Sequence, residues 1–489
     1  MEAKKRANPK REGGTKRSDE AITSGDSADP QAETIDDELA LAKAAGVLSA
    51  REPVFEQRQA GEPEDTAPGF LPGRSPQGPA SGSLPGQGSS DSSGAAAVFY
   101  SEGAASSSRT GLLQGTHTAP SLITQQPSAG PQPGGRRATD LKVAVVGATG
   151  LVGREMLALL EERNFPVGEL SLFASEKSKG KPIQFRGTTL VVDVLEDGCF
   201  DDVDLVLMEV ESGIAKEWAP KAVEAGATVI DNSSAFRLER EVPLVVSEVN
   251  PEALEGHEGI ISNPNCTTMI LMPVLAPLHR RFGASRLIIT TLQSVSGTGG
   301  EAVSELERQA SQLMLRPSLL RKAGAKHVRT KHEVYPKPIA FNVIPQCDAF
   351  VDAVNTKEEL KLRNESRKIL GHPDLQVVAT CVRVPVFVGH SISVVAEFDK
   401  PAHVEEVLDI LADAPGVELV PGTDYPTPLE IAGLDGSWVG RVRPDPSNDS
   451  GVAFWVVGDN IRKGAALNCI EIAEILLEQG WLKPKSKRR

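Results

Sequence analysis

The chain is short of the features that hold secreted, membrane or metal-binding proteins together. Its 489 residues include five cysteines. They are odd in number, widely spread and without a C-x-x-C pair, so neither a disulfide framework nor a zinc site is expected. This cysteine usage suits a reducing cytosol, and the expectation is a cytoplasmic protein without a metal. No apolar run reaches the ~18 residues of a membrane span, because charge or proline interrupts the longest stretches. An excess of positive charge is also missing. The formal net charge of −14 repels polyanions, which argues against nucleic acid as a partner despite the basic opening MEAKKRANPKREGGTKR. That opening is followed by acidic residues and by no apolar core, so it reads as neither a signal nor a transit peptide.

Aliphatic runs are scarce up to residue 139. Stretches such as GEPEDTAPGFLPGRSPQGPASGSLPGQGSSDSSG cannot bury enough apolar surface to offset the entropy of ordering, so residues 1–139 are expected to form a disordered extension. Within it, Ala32 to Ala50 carries DDELALAKAAGVL. Leu39, Leu41, Ala44 and Val47 recur there at roughly helical spacing, which fits a short amphipathic helix, either docked or solvated.

From Leu141 onward, short apolar strands alternate with helical patterns, the signature of an α/β fold with a largely parallel sheet. LKVAVVG reads as a strand, GLVGREMLALLEER as a helix and LSLFAS as a second strand, followed by DVDLVLME, AKEWAPKAVEAG and ATVIDNSS. Longer β-rich runs begin at SRLIITTLQSVSG and include CVRVPVFVGHSISVVAEF, with helices expected over Gly300–Met314 and Lys357–Leu370. The chain closes on RKGAALNCIEIAEILLEQG. Its apolar stripe of Ala465, Ala466, Cys469, Ile470, Ala473 and Leu476 must pack on something, and the first domain is the expected partner.

GATGLVG joins the first strand to its helix. Gly147, Gly150 and Gly153 stand where a tight turn, close approach of a pyrophosphate and helix packing are needed, and the helix start offers free N–H groups to phosphate. The spacing is G-x-x-G-x-x-G rather than G-x-G-x-x-G. In FASEKSKGK, at the end of the second strand, Ser175, Lys177 and Ser178 can meet a ribose 2′-phosphate, which favours NADP, while Glu176 would oppose one if it pointed inward.

Cys266 follows the turn Asn263-Pro264-Asn265 and opens an apolar helix. A helix start stabilises a thiolate, the reactive form, so Cys266 is the expected nucleophile; the other four cysteines read as inert core residues. Attack on an aldehyde releases a hydroxyl proton as hydride leaves, which requires a base. His390, between Gly389 and Ser391 at the head of an apolar strand, is the candidate. Seven residues before His390, Arg383 lies inside an otherwise apolar strand and needs an anion, either a substrate carboxylate or an internal salt bridge. Arg237 in DNSSAFR follows a strand end and a serine-rich turn, as a phosphate ligand would. In TKEELK, Glu358 and Lys361 share a helix face, as a site pair or as a surface ion pair.

Together GATGLVG, VIDNSSAFR, NPNCTT, QSVSGTGG, FNVIPQCDAF with TKEELK, RVPVFVGHS and DNIRKGAALN resemble aspartate-semialdehyde dehydrogenase over nearly all of residues 140–485. The resemblance implies NADPH-dependent reduction of L-aspartyl 4-phosphate to aspartate semialdehyde and phosphate, on the route to diaminopimelate, lysine, methionine and threonine. It implies Cys266 as the thioester nucleophile, His390 as acid–base, Gln293 as orienting group beside the thiol, Arg383 on the substrate carboxylate and Glu358 on its amine. Arg237 and Lys361 would bind phosphate. Thr149, Gly150, Leu151, Val152, Lys177, Ser178, Ser296, Gly297 and Asn460 would line the NADP site. The implied architecture is a Rossmann-type NADP-binding domain over 140–265, an α+β catalytic and dimerisation domain over 266–459 and a C-terminal helix over 460–489, assembled as a homodimer or homotetramer.

One stretch departs from the family. Many members carry a Ser-Ala-Gly-Gly type of loop where this chain has Glu209, Val210, Glu211 and Ser212, and two carboxylates there would repel a nucleotide unless they face away. Two other readings stay open: an N-acetyl-glutamyl-phosphate reductase, whose usual Gly-Cys-Tyr-Pro-Thr context is absent, and a non-catalytic paralogue that serves as a binding protein.

Overall fold

A computed structural model of the chain describes residues 141–315, 317–321 and 330–482. The expectations for the extension over residues 1–139, including the helix from Ala32 to Ala50, fall outside the described residues.

β1 (Leu141–Val146) is apolar at nearly every position, as a strand covered on both faces must be. It is followed by α1 (Leu151–Glu162), β2 (Val167–Phe173), the hairpin β3 (Pro182–Phe185) with β4 (Thr188–Val191), and β5 (Leu205–Met208). Then come α2 (Ser212–Glu224), β6 (Thr228–Asp231) and β7 (Ile260–Ser262). Five of these strands form a parallel sheet in the order β2-β1-β5-β6-β7. The chain leaves β1 to one side for β2 and steps away on the other side for β5 to β7. A crevice therefore opens at the carboxyl ends of β1 and β5, where α/β sheets hold their ligands.

The alternation along β1 divides the core. Leu141, Val143 and Val145 meet Met156, Leu159 and Leu160 of α1. Ala144 and Val146 meet Ala215, Ala219 and Ala222 of α2 on the opposite face. The C-terminal helix, introduced below, also joins the first of these layers.

The second sheet is built from longer strands and is mixed. α3 (Cys266–Phe282) leads into β8 (Ala284–Gln293), α4 (Gly300–Met314), α5 (Lys357–Ile369), β9 (Gln376–Arg383) and β10 (His390–Phe398). α6 (Val404–Ala412), β11 (Val417–Leu419), the short α7 (Pro428–Ile431), β12 (Ser437–Pro444) and β13 (Gly451–Gly458) follow, and the strand order is β11-β12-β13-β10-β8-β9. The run CVRVPVFVGHSISVVAEF is thus two strands joined by a loop, and Arg383 ends the first of them rather than lying inside it. Leu287, Ile289, Ile392, Val394 and Val456 point to one side, where α3, α5 and α6 cover them. α5 opens with a capping box in which the Thr356 hydroxyl and the Glu359 carboxylate satisfy each other's backbone N–H groups, an arrangement worth ~1 kcal/mol.

The chain ends in a π-helical turn, Arg462–Ala466, that continues into α8 (Leu467–Glu478). Leu467, Ile470, Ile472 and Leu476 are buried against the β1–α1 layer. Each contributes on the order of 1.5–3 kcal/mol of apolar burial. The π turn has a positional effect as well, because it brings Gly464 against the start of α3.

Candidate active site

A cavity of about 840 Å³ runs from the β1–α1 turn to the start of α3. Its walls include Gly150, Leu151, Val152, Glu209, Asn232, Arg237, Asn265, Cys266, Ser296, Gly297, Lys361, Asn460 and Gly464.

At the β1 end the wall is shaped by missing side chains. Gly147 has φ +92°, and a Cβ there would stand 2.0 Å from the Glu209 carbonyl oxygen; a Cβ on Gly153 would stand 2.2 Å from the Gly147 oxygen. Gly150 caps α1 with no side-chain bond to the first turn, so the N–H groups at that helix start are free to meet an anion. These features fit a dinucleotide phosphate. Thr149 and Ser178 bring their hydroxyls within 3.2 Å of each other, and Lys181 donates to Ser178. Ser175 and Lys177 are exposed near this corner and do not line the cavity. Gly147, Thr149, Gly153 and Ser178 also stand behind the wall rather than in it.

Cys266 is the first residue of α3, as its turn predicts. Asn265 is the N-cap, its Oδ1 accepting from the backbone N–H of Thr267 at 3.1 Å. The expectation of a stabilised thiolate does not hold for the resting site. Burial pushes the Cys266 thiol up to about 12, Glu358 adds to the rise, and Arg383, Lys361 and Arg237 only partly oppose it. The helix start is real, but desolvation outweighs it. A Cβ on Gly464 would come within 2.9 Å of the Cys266 Cβ, so the π turn is the surface against which the thiol rests.

α5 approaches the same turn with three charged groups, and the loop before it adds a fourth. Glu358, Lys361 and Glu365 follow one helical face, and Asp348 joins from the preceding loop. Glu358 Oε1 accepts from Gln293 Nε2 at 2.9 Å and from Asn265 Nδ2 at 3.1 Å, while Lys361 Nζ lies 3.0 Å from Glu358 Oε2 and from Asp348 Oδ2. Burial alone would raise Glu358, but Lys361 and Gln293 outweigh it and hold the carboxyl at about 2. Glu358 is buried and Lys361 half-buried at the cavity wall, so this is not a surface pair.

Glu365 is 1% exposed and was not among the residues singled out from the sequence. Its Oε1 accepts from Arg237 Nη1 at 3.0 Å and its Oε2 from the Asn265 backbone N–H at 2.7 Å. Burial works against the Arg237 charge, yet Glu365 more than compensates and the guanidinium is held protonated more firmly than usual. Arg237 Nη2 donates to the Asn232 carbonyl at 2.5 Å. The helical spacing of Glu365 from Lys361 and Glu358 was the available signal.

Gln293, Arg383 and His390 are all buried, the last two just behind Gly297. A Cβ on that glycine would lie 3.1 Å from Arg383 Nη1 and 3.2 Å from His390 Nε2. Arg383 Nη1 donates to the Ser294 carbonyl at 2.5 Å, and its Nε is buried without a partner. The Ser294 backbone N–H donates to His390 Nδ1 at 3.1 Å. Nδ1 therefore offers its lone pair, and the ring proton sits on Nε2, which is buried without a partner. Burial first, and the charge of Arg383 second, push His390 down to about 3, so the resting ring is neutral. The Ser294 hydroxyl donates to Asn460 Oδ1 at 2.8 Å, which also accepts from the Gly389 N–H at 2.9 Å and from Ser296.

The two glutamates that depart from the family pattern behave differently from each other. Glu209 is close enough to Asn232, Arg237 and Asp231 for each to act on its charge, and burial raises its carboxyl. Glu211 is the exposed N-cap residue of α2.

Two family models match the chain: semialdehyde dehydrogenase, NAD binding domain, over residues 142–257, and semialdehyde dehydrogenase, dimerisation domain, over residues 275–463. An aspartate-semialdehyde dehydrogenase of Streptomyces akiyoshiensis is 49% identical over 339 residues, which cover 69% of this chain and 98% of that protein. The chain belongs to the aspartate-semialdehyde dehydrogenase family. Aspartate semialdehyde dehydrogenase II of Vibrio cholerae, solved in complex with ASA, matches with a TM-score of 0.65 at 44% identity, covering 69% of this chain and 98% of its own. The Candida albicans aspartate semialdehyde dehydrogenase, solved with NADP, matches with a TM-score of 0.53 at 27% identity, covering 70% and 99%. As a member of this family of oxidoreductases, the chain pairs a nicotinamide-binding domain with a second, mixed-sheet domain.

Proposed function

We propose that this aspartate-semialdehyde dehydrogenase reduces L-aspartyl 4-phosphate with NADPH through a thioester on Cys266, in the cytoplasm. The observation that carries the reading is the turn before Cys266, which one helix, α5, grips from two sides while two cations, Arg237 and Lys361, line the same cavity.

Arg383 takes the substrate carboxylate and Glu358 its ammonium, and Gln293 orients the acyl group beside the thiol. An ammonium on Glu358 replaces Lys361 there, which leaves Lys361 free to join Arg237 on the phosphate. Arg383, Lys361 and Arg237 favour the thiolate that burial suppresses at rest. Cys266 Sγ attacks the acyl carbon, the C–O bond to phosphate breaks, and the phosphate leaves toward Arg237 and Lys361.

The nicotinamide, when bound, supplies the hydride that reduces the thioester. On substrate binding the His390 ring takes up a proton, its Nδ1–H turning to the Ser294 hydroxyl 3.1 Å away; Nε2 then gives its proton to the hemithioacetal oxygen as that oxygen gathers charge, and takes it back in the oxidative direction. A carboxylate on Arg383 cancels part of the charge that depresses the ring, which ties protonation of His390 to substrate binding. Gly147, Gly150, Leu151, Val152, Gly153, Ser296, Gly297 and Asn460 hold the cofactor, with Thr149, Ser175, Lys177 and Ser178 meeting the 2′-phosphate. The neighbour solved with NADP and the lysine-rich corner beside Ser178 support that choice over NAD.

The decisive assay is reduction of NADP by aspartate semialdehyde with and without phosphate. Phosphate-dependent turnover is expected; turnover only with the N-acetylated glutamyl analogue would overturn the substrate assignment. We assign the homodimer contact to the mixed-sheet face away from α3, where Ile288 and Val378 stand 37% and 57% exposed. Sedimentation at several concentrations should show a dimer that a charged replacement of Val378 weakens.

A further inference from the structure

We infer that Glu365 is a positioning residue that fixes the phosphate subsite to the nucleophile. The inference rests on the proposed role of Arg237 as a phosphate ligand. A carboxylate offers two acceptor oxygens, and Glu365 divides them between two functions. Oε1 receives Arg237 Nη1 at 3.0 Å, and Oε2 receives the N–H of Asn265, the residue directly before Cys266, at 2.7 Å. One rigid, buried group therefore determines how far the guanidinium stands from the start of α3.

The rest of the geometry makes this link more than a buried ion pair. Arg237 is anchored on its other side to the Asn232 carbonyl at 2.5 Å, so with both terminal nitrogens tied its plane has little freedom to turn. The Asn265 side chain is held independently, by Glu358 at 3.1 Å and by the Thr267 N–H at 3.1 Å. Glu365 is the connection between these two anchored groups. In acyl transfer from a phosphate, sulfur must approach the carbon whose oxygen is leaving to the cations, so a small error in this separation misplaces the leaving group. Glu365 touches neither substrate nor cofactor and acts through Arg237 and Asn265.

Glu365→Gln isolates the role. The amide keeps the size of the side chain but has one acceptor oxygen where the carboxylate has two, so one of the two bonds must meet a donor instead. In the phosphate-dependent oxidation of aspartate semialdehyde, E365Q should raise the KM for phosphate by about tenfold or more while the KM for the aldehyde stays within about twofold. Phosphate protection of Cys266 against iodoacetamide should weaken in parallel. Arg237→Gln is measured beside it, and the double variant should be no worse than R237Q alone, because the two residues act as one unit.

An unchanged phosphate KM in R237Q would remove the reading of Arg237 as a phosphate ligand. A raised KM in R237Q with normal phosphate kinetics in E365Q would overturn the inference about Glu365. Equal rises in both KM values, or additive effects in the double variant, would show a merely structural role and overturn it too. Should E365Q not fold, Glu365→Asp keeps the charge and withdraws it by one methylene, and the same selective rise in phosphate KM is required of it.

Discussion

The β1 end of the cavity is shaped by side chains that are absent, whereas the Cys266 end is shaped by charges that would be costly to bury singly. At the first end the tight turn between β1 and α1 packs on backbone at close range because Gly147 and Gly153 carry no Cβ, and it turns the start of α1 toward the cavity. At the second, Glu358, Lys361, Glu365 and Arg237 neutralise one another around one helix start. Binding a cofactor common to many enzymes asks chiefly for space and free backbone N–H groups. Acyl transfer asks for a fixed constellation, which here is held by buried ion pairs whose members are costly to remove alone, at ~3–5 kcal/mol each.

This contrast can be broken at either end. The largest effect is expected from Cys266→Ser, which should remove measurable turnover while leaving cofactor binding intact, since a hydroxyl is a far poorer nucleophile at neutral pH. A substantial residual rate, or acylation detected by mass spectrometry at the serine, would contradict a thioester route. Next is His390→Asn, expected to lower kcat by ~10²–10⁴-fold with little change in substrate KM; a pure KM defect would detach His390 from proton transfer. Gly153→Ala tests the other end. Its Cβ would meet the Gly147 oxygen at 2.2 Å, so the variant should lose ~1–3 kcal/mol of stability and most of its cofactor affinity, as read by melting and titration.

Smaller effects separate the two ends more finely. With its thiol near 12, Cys266 is a thiol at every ordinary pH, and its thiolate fraction rises as pH rises. Alkylation by iodoacetamide, measured against the C266S background, should therefore climb about tenfold per pH unit through pH 9. A plateau below pH 8 would mean the helix start outweighs burial after all. Glu209→Gln should alter NADPH affinity least, by less than about threefold, because the Glu209 carboxyl is already engaged by Asn232 and Arg237. A large gain in affinity would show that Glu209 faces the nucleotide ionised.

How much of this was readable in the chain follows from the same contrast. The glycine turn was legible because everything it does lies within a few residues of itself. The strand and helix succession of the first sheet was legible for a similar reason: β1 alternates between two layers and its apolar run shows both. The role offered for Gln293 came only from strings resembling a family, whereas Cys266 and Arg383 stood out by their local setting. Glu365 was not singled out because its partners, Arg237 and Asn265, are 128 and 100 positions away, and one more glutamate on a charged helix carries no mark of burial. The helix start that favours a thiolate can be read from Asn-Pro-Asn, while the desolvation that opposes it cannot. Glu209 showed its charge in the sequence but not the direction of its side chain.

The π turn at Arg462–Ala466 also has a consequence in time. Gly464 completes the wall behind Cys266, yet roughly 200 residues separate them, so a chain growing at the usual pace leaves the thiol without that cover for on the order of 10–40 s. Until the last helix docks, the future nucleophile is an ordinary accessible cysteine, open to oxidants and to other thiols. Finishing the chain is therefore also the step that shelters its most reactive atom.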